Sequence, residues 1–326
     1  MGRAWTILDG CLASSGELAP DMPAGGADAS RRAGGQTVCL IGVERASEAL
    51  GDRLAAEVVE QLPHAAMPFA ELSEEGAVGI VVLPAAGRRA ADAPRFAFEL
   101  GPTRLLIVDD TGTCAPLLDA LVLEAAPVGS PAGVLRSLFH VLLREHPETL
   151  SRVRGDFEAF EQLILEGRER IDRAKMMADS RRMLGLNSFY QGLSDIVDLL
   201  AESDASWVPP ADRARFSVLS RQLDRLSARL ESLQNYALQV SGLYQEGIDV
   251  RQNNVMQWLT VVTTIAMPLT VITGWYGMNF SRMGLTDTTW GYPLVTCICI
   301  AIVLVEVAVF HRRGWLSFGG RRRRRK

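Results

Sequence analysis

The C-terminal part of the chain contains two long apolar runs in which no Asp, Glu, Lys or Arg occurs. The first covers the 30 residues 252–281 and the second the 18 residues 288–305. A helix needs ~20 apolar residues to cross the ~30 Å hydrocarbon core of a bilayer. The two runs therefore predict a C-terminal hairpin of two transmembrane helices. Residues before about 205 differ in character and predict a separate part of the protein.

Charge is distributed unevenly along the 326 residues. Residues 311–326 hold eight of the 34 Lys and Arg and no acid, while residues 1–310 carry 26 basic against 38 acidic groups. A basic run directly after an apolar span is typical of a cytoplasmic flank that contacts anionic lipid heads. The pattern predicts a multi-pass protein of the cytoplasmic (inner) membrane with cytosolic N- and C-termini. The tail is expected to contact membrane lipids and no nucleic acid.

Other residue types exclude several classes of function. The first ten residues lack the apolar run of a signal peptide. The five cysteines form no CxxC pair, which suits a reduced cytosol, and the four histidines show no metal-ligand spacing. No set of nucleophile, base and oxyanion donors can be assembled, so the chain is not expected to be an enzyme.

Residues 1–147 have the alternating pattern of a cytosolic α/β domain. The sequence predicts a loop over 19–36, strands over 37–43, 78–83 and 104–108, and a helix over 46–62. No GxGxxG follows a strand, which argues against a Rossmann fold. Asp109 and Asp110 follow the third strand and are compatible with a metal or phosphate site, but an acidic turn is favoured. Helices are predicted next at 150–178 and 188–200, separated near Gly185.

A single long helix is predicted from about 211 to 275, because no proline occurs between Pro210 and Pro268. Its first half carries a coiled-coil seam at strict 3-4 spacing, and such a helix is expected to form an oligomeric stalk joined through that seam. The seam consists of Phe216, Leu219, Leu223, Leu226, Leu230, Leu233, Ala237, Val240 and Tyr244.

The first apolar span carries a second stripe of polar, small and thioether residues, which is not in phase with the seam. A helix that faces lipid on all sides would not segregate its residues in this way. Tight helix packing or pore lining explains the pattern, and pore lining is favoured. The stripe consists of Asn253, Met256, Thr260, Thr263, Met267, Thr270, Gly274 and Gly277.

The two spans and their flanks also contain several short motifs. Among them is a Gly-Met-Asn triplet at the end of the first span, and the second span follows it. They are Asn253-Asn254-Val255-Met256, Leu259-Thr260, Met267-Pro268-Leu269-Thr270, Gly274, Tyr276-Gly277-Met278-Asn279-Phe280, Trp290-Gly291-Tyr292-Pro293 and His311-Arg312-Arg313-Gly314-Trp315-Leu316. This set closely resembles the CorA family of divalent-cation channels, whereas residues before about 150 resemble it only in architecture.

The resemblance implies a homopentamer whose first spans line the pore, whose second spans form an outer ring, and whose cytosolic parts form an ion-sensing funnel. The fold class expected is an α+β membrane protein with a cytosolic α/β domain, a long helical stalk and two C-terminal transmembrane helices. Its parts are the domain 1–147, the stalk 148–250, the pore helix 251–279, the external loop 280–290, the second span 291–311 and the basic tail 312–326.

The triplet Gly277, Met278 and Asn279 is the predicted selectivity filter. Mg²⁺ gives up its water reluctantly, so neutral oxygens such as the amide of Asn279 are expected to hold it through its hydration shell. Met256 and Leu259 are expected to form an apolar constriction, although helix packing is the simpler role. No cofactor is expected beyond Mg²⁺ as transported ion and possible regulator.

The sequence departs from the family pattern at three places. The external loop 281–287 has one acid and one base, so cation attraction there is expected to be weak. Gly242 falls where relatives carry an acidic ring, and Asp224, Glu246 and Asp249 are only possible substitutes for it. Glu306, in the second span, is expected to pair with His311 or Arg312.

Together these features predict a channel for hydrated Mg²⁺, and also for Co²⁺ or Ni²⁺. One alternative is a Zn²⁺ transporter of the same superfamily, whose triplet more often has another middle residue, so that Met278 favours Mg²⁺. The other alternative is a non-conducting, membrane-anchored sensor. An ion-flux measurement distinguishes them.

Overall fold

The computed structural model of the chain describes residues 2–17, 35–46, 53–73, 76–85, 93–125, 127–167, 172–278 and 290–315. Four predicted features lie wholly or mostly outside these ranges. They are the loop 19–36, Asn279, the external loop and the basic tail.

The described N-terminal residues form one seven-stranded sheet with the strand order β2-β1-β3-β7-β6-β5-β4. The strands are β1 (Arg3–Leu8), β2 (Cys11–Glu17), β3 (Thr37–Ile41), β4 (Phe69–Leu72), β5 (Ala77–Val82), β6 (Arg95–Leu100) and β7 (Arg104–Asp109). Strands β3 and β7 are parallel, and the other neighbours are antiparallel. The three predicted strands are confirmed as β3, β5 and β7.

Sequence reasoning missed four strands, including the hairpin of β1 and β2. Its turn is Asp9-Gly10, with φ of 51° and 78°. An Asp-Gly pair in which both residues have positive φ is the favoured two-residue hairpin turn. This dipeptide was the signal in the sequence that would have identified the hairpin.

Three helices, α1 (Arg53–Gln61), α2 (Cys114–Leu123) and α3 (Pro131–Leu143), belong to this part of the chain. Successive strand residues point to opposite faces of a sheet. Leu105 and Ile107 of β7 accordingly belong to the larger core, which includes residues of α2 and α3. Leu106 and Val108 belong to a smaller core with Val58 of α1. Both faces of the sheet are therefore covered.

Asp109 and Asp110 form the turn after β7. The carboxylate of Asp109 accepts hydrogen bonds from the backbone N–H of Thr111 at 2.7 Å, Gly112 at 3.1 Å and Cys114 at 2.7 Å. Asp110 accepts one from the N–H of Val43 at 3.0 Å. These bonds satisfy the amides of the turn and the first amide of α2, so the interpretation as an acidic turn is confirmed.

The next two helices, α4 (His146–Leu165) and α5 (Arg173–Glu202), correct the predicted break. The expected helix over 150–178 is interrupted after Leu165, because Gly167 adopts a φ of +69°, a conformation that ends helices and that glycine adopts readily. Asp172 then caps α5 by accepting from the N–H of Lys175 at 3.1 Å. Gly185 does not break the chain but lies inside α5.

Helix α6 (Pro210–Tyr276) has 67 residues and confirms the predicted long helix, and α7 (Gly291–Arg312) follows it. Packing divides the chain into two compact units, Met1–Val240 and Ser241–Lys326. The sequence-based boundaries at 147 and 250 follow changes in residue pattern and stay predictions.

The coiled-coil seam of α6 does not lie on a free surface. Its members from Phe216 to Val240 are at most 6% exposed within the single chain. They belong to the same core as the sheet, with Phe157 of α4 and Met183 of α5. The prediction that this seam joins subunits is therefore wrong, because the chain's own helices α4 and α5 already cover it. Of the nine seam residues, only Tyr244 lies beyond this core.

Candidate ion pathway

The described residues include two helices, α6 and α7, that are long and apolar enough to cross a membrane. Most side chains after Arg251 in α6 and throughout α7 are exposed in the single chain. A continuous exposed apolar surface of this size marks contact with lipid or with another protein surface.

The predicted pore stripe lies on the part of α6 within the second unit. All eight pore-lining candidates are exposed: Asn253, Met256, Leu259, Thr260, Thr263, Met267, Thr270 and Gly274. At ~1.5 Å per residue, the stretch from Asn253 to Gly274 spans roughly 31 Å, which matches a hydrocarbon core of ~30 Å. Gly277 and Met278 follow directly after the helix ends at Tyr276. Asn279 is outside the described residues, so its position in the filter stays a prediction.

The threonine hydroxyls of the stripe are satisfied by the helix itself. Thr260, Thr263 and Thr270 donate to backbone carbonyl oxygens four residues earlier, at 2.8, 2.7 and 2.8 Å. Each hydroxyl then has only lone pairs left, which accept hydrogen bonds. Thr264 and Thr273, off the stripe, do the same, as expected for polar groups in an apolar segment. The three threonines of the stripe therefore present hydrogen-bond acceptors, which suit the water shell of a cation.

The end of α6 explains why residue 277 is glycine. The N–H of Gly277 donates to the carbonyl oxygen of Thr273 at 2.9 Å, and that of Met278 to Trp275 at 3.4 Å. A Cβ at position 277 would lie 2.9 Å from the same Thr273 oxygen. The close approach of this backbone oxygen therefore favours glycine at position 277.

Gly274 and Pro268 are two residues of the span that are unusual inside a helix. A Cβ at Gly274 would meet nothing within 4 Å, so any need for a small residue there comes from outside the chain. Pro268 lies inside the helix and has no N–H, so the carbonyl of Thr264 loses its helical donor.

The proposed constriction is formed by residues that do not pack inside the chain. Met256 is 56% exposed and Leu259 is 60% exposed. The simpler interpretation, packing between helices, is therefore not realised within one chain. Both residues remain available at the N-terminal end of the stripe.

The position of Gly242 is exposed, as are Asp224, Glu246 and Asp249. Gln245 donates to Asp249 at 3.2 Å. The described parts of the chain contain no group of three or more His, Cys, Asp or Glu placed to hold a metal ion.

Residues 242, 246 and 249 precede Asn253 at 3-4 spacing, so they share one face of α6 with the stripe. The buried seam occupies another face of α6, so this continuity was not predicted from the sequence.

Glu306 does not form the ion pair expected from the sequence. Its Oε2 atom is buried and has no hydrogen-bond partner among the described residues. The partly buried positions 295, 299, 302, 306 and 310 recur at 3-4 spacing on α7, whereas His311 and Arg312 are exposed. The predicted pairing with these two residues is wrong, because they lie on another face of the helix.

The fold and the stripe define a class of membrane protein with an α/β domain, a long helix and two C-terminal candidate spans. The family described as "CorA-like Mg2+ transporter protein" matches residues 98–312, about two-thirds of the chain, and the chain belongs to this family.

Individual relatives agree with this assignment. The cobalt/magnesium transport protein CorA of Thermotoga maritima is 28% identical over 187 residues, which are 56% of this chain and 52% of the relative. The match to the CorA protein of Methanocaldococcus jannaschii covers 57% of that relative, at 27% identity over 186 residues. The chain thus spans little more than half the length of these curated relatives.

Solved structures extend the similarity of fold to nearly the whole chain. The complete CorA magnesium transporter of M. jannaschii superposes with a TM-score of 0.73 at 18% identity, over 97% of this chain and 99% of the other. The full-length CmaX protein gives 0.71 at 18% identity, over 96% and 97%. Identities this low establish the fold alone.

Proposed function

We propose that the chain is a subunit of a channel that conducts hydrated Mg²⁺, and also Co²⁺ or Ni²⁺, across the cytoplasmic membrane. The observation that carries the proposal is the exposed, charge-free acceptor stripe of α6, which spans roughly 31 Å and leads to Gly277-Met278-Asn279. The names of the two curated relatives, cobalt/magnesium transport proteins, support Mg²⁺ and Co²⁺.

The mechanism follows from the hydration of Mg²⁺. This ion exchanges its water reluctantly, so it is easier to pass with its shell than without it. The shell presents hydrogens outward, and the lone pairs of the stripe threonines accept them. Asn279 and nearby backbone carbonyls supply neutral acceptors at the outer end. Because no carboxylate occurs in the stripe, the ion is not held tightly in transit.

At the inner end, Met256 and Leu259 form the apolar constriction. A narrow ring of such side chains loses its water and stops a hydrated ion. Widening of the ring readmits water and ions. The two residues thus act as the gate, and the acceptor stripe beyond them as the conducting segment.

One stripe cannot enclose a pathway, so several copies of the chain are required. We place five copies around an axis with their stripes turned inward and their α7 helices outside. The basic tail contacts lipid heads on the cytosolic side, where both termini lie. The exposed positions 242, 246 and 249 would then face the same axis below the membrane.

The alternatives predict different fluxes. A Zn²⁺ transporter of the same superfamily would conduct Zn²⁺ in preference to Mg²⁺, and a membrane-anchored sensor would conduct neither. Met278 in the triplet and the names of the relatives favour Mg²⁺. Similarity of fold does not separate these functions.

The filter is tested by replacing its asparagine. Asn279→Ala is expected to abolish Mg²⁺ flux into liposomes, a loss of at least about tenfold, while the oligomer stays intact, because the acceptor at the outer end is lost. Asn235→Ala, at an exposed position of α6 before the span, is the matched control. Flux of Mg²⁺, Co²⁺ and Zn²⁺ is measured for the wild type and for both variants. Unchanged Mg²⁺ flux in Asn279→Ala would remove this residue from the filter.

The number of subunits is tested separately. The mass of the detergent-solubilised complex is expected to equal five chains of 35.6 kDa after correction for bound detergent. Light scattering coupled to size exclusion measures it. A dimer or a tetramer would contradict the five-fold arrangement.

A further inference from the structure

A cavity of about 430 Å³ lies between the end of α6 and the beginning of α7. Its volume falls within the ~300–1,000 Å³ of ligand pockets and is nearly three times that of a ~150 Å³ apolar cavity that accepts benzene. Gly277 borders the cavity, which therefore adjoins the first residue of the predicted filter. Its other walls include Ile272, Thr273, Tyr276, Tyr292, Val295 and Cys299.

The lining favours a neutral, apolar occupant, because none of the lining residues is charged. The hydroxyl of Thr273 already donates to the carbonyl of Leu269 at 2.9 Å, and that of Thr296 donates to Tyr292 at 2.9 Å. The cavity walls thus offer no charge to an ion.

The cavity lies at the end of the spans remote from His311 and Arg312. Trp275, Trp290 and Tyr292 are exposed at this end, at 67%, 80% and 84%. Trp and Tyr concentrate where the hydrocarbon core meets the lipid heads. The cavity therefore lies near that level, within reach of the upper part of an acyl chain.

On α6 the cavity borders the stripe at Gly277, whereas Ile272 and Tyr276 point away from the stripe. Ile272 and Tyr276 each follow a stripe residue, Thr270 and Gly274, by two positions. Two residues correspond to roughly 200° around a helix. With the stripe turned to the axis, as in the proposed function on which this step rests, the wall formed by Ile272 and Tyr276 faces the lipid.

We infer that the cavity binds one acyl chain of a membrane phospholipid, which packs against the Gly277 end of α6. Lipid tails are as apolar as the side chains they contact, so the gain comes from packing rather than from removal of water. An unfilled space of this size leaves its walls without those contacts. The acyl chain thereby supports the last turn of the helix that carries the filter.

The wild-type protein provides the first test. The purified oligomer is placed in phosphatidylcholine vesicles containing phosphatidylcholine with a photoreactive diazirine in its acyl chain, and labelled positions are mapped by mass spectrometry. Labelling of Val295 and Cys299 is expected to exceed that of Leu294 and Ile298 several-fold, although the latter pair is more exposed at similar depth, 52% and 46%. Equal or weaker labelling of the cavity residues would overturn the inference.

A pair of variants provides the second test. Val295→Trp fills the cavity and is expected to reduce labelling of Cys299 at least threefold with an unchanged oligomer mass. Leu294→Trp adds the same side chain on the exposed face and is expected to leave the labelling as in the wild type. If Val295→Trp leaves the labelling unchanged, the acyl chain does not occupy the cavity. If it dissociates the oligomer, the cavity is instead a contact with a second copy. Labelling requires no conduction, so this inference and the proposed function can fail separately.

Discussion

At the start of α4, His146 lies in a cage of aromatic rings. Its Nδ1 atom is 3.0 Å from the hydroxyl of Tyr190, and its ring centre is 5.5 Å from that of Phe189. Burial, and then the positive charge of Arg182, lower the pKa of His146 to about 4. In the folded protein this histidine is therefore neutral near pH 7.

We expect His146 to make the folded state less stable in acid. Below its ordinary pKa of 6.5 the unfolded chain binds a proton that the folded chain does not bind until pH falls to about 4. The contribution of His146 to the free energy of unfolding is therefore complete above pH 6.5. It is lost as the pH falls from 6.5 to about 4, by at most about 3 kcal/mol. Denaturant unfolding in detergent at several pH values measures the loss.

His146→Phe is expected to flatten that dependence on pH, because it removes the titrating group and keeps an aromatic ring. His140→Phe, at an exposed position of α3, is the matched control. A slope that is the same in the wild type and in His146→Phe would assign the acid sensitivity to other groups.

Among the secondary-structure elements, α6 was the most predictable because strong local signals mark both of its ends. Val208-Pro209 precedes its first residue, Pro210, and Gly277 follows its last residue, Tyr276. The 3-4 spacing of its apolar residues indicated a helix with a buried face. Spacing does not reveal what covers that face. Here α4 and α5 of the same chain do so, which local pattern alone does not show.

The same limit explains other errors at this scale. Gly167 and Gly185 are both exposed glycines in helix-forming sequence, and only the backbone shows that the first has positive φ. The stripe and the triplet were found from sequence because they depend on spacing within one helix and on family resemblance. The cavity depends on contact between two helices, and no residue pattern indicated it.

The covered seam leads to a prediction about α6. Leu230 is fully buried in the core of the chain, so Leu230→Ala is expected to lower the free energy of unfolding by about 2–5 kcal/mol. Leu123→Ala, at a position that is 86% exposed, is the matched control and is expected to change it by less than about 0.5 kcal/mol. Thermal and denaturant unfolding in detergent measure both. If Leu230→Ala only dissociated the oligomer and left the fold equally stable, the seam would be a subunit contact after all.

For the whole molecule, the continuity of one exposed face of α6 matters most for gating. Positions 242, 246 and 249 continue the stripe toward the N-terminus of the helix at the same 3-4 spacing. In the five-fold arrangement, whatever stands at these positions faces the ion pathway below the constriction. The resemblance implies an acidic ring at 242, and this chain has a glycine there. Cytosolic Mg²⁺ is therefore expected to close the proposed channel more weakly than is usual in the family.

Restoring the carboxylate tests this account of gating. A Cβ at Gly242 would meet nothing within 4 Å, so Gly242→Asp is expected to fold normally. Five carboxylates facing the axis concentrate Mg²⁺, and inhibition of flux by internal Mg²⁺ is expected at a roughly tenfold lower concentration, within the usual range of coupling between sites. Gly247→Asp, where a Cβ likewise meets nothing within 4 Å, is the matched control, because five residues turn the side chain roughly 140° away from position 242.

A comparison with the wild-type protein tests the remaining possibility, that Glu246 or Asp249 already senses the ion. Flux through wild type, Glu246→Ala and Asp249→Ala is measured against internal Mg²⁺. Weak inhibition in all three agrees with the loss of the ring at Gly242. Strong inhibition that either alanine variant removes would assign sensing to that carboxylate, which lies on the same face of α6. Strong inhibition that survives both variants would place the sensor in the first unit, Met1–Val240, because the stripe beyond Arg251 contains no acidic residue with which to bind Mg²⁺ directly.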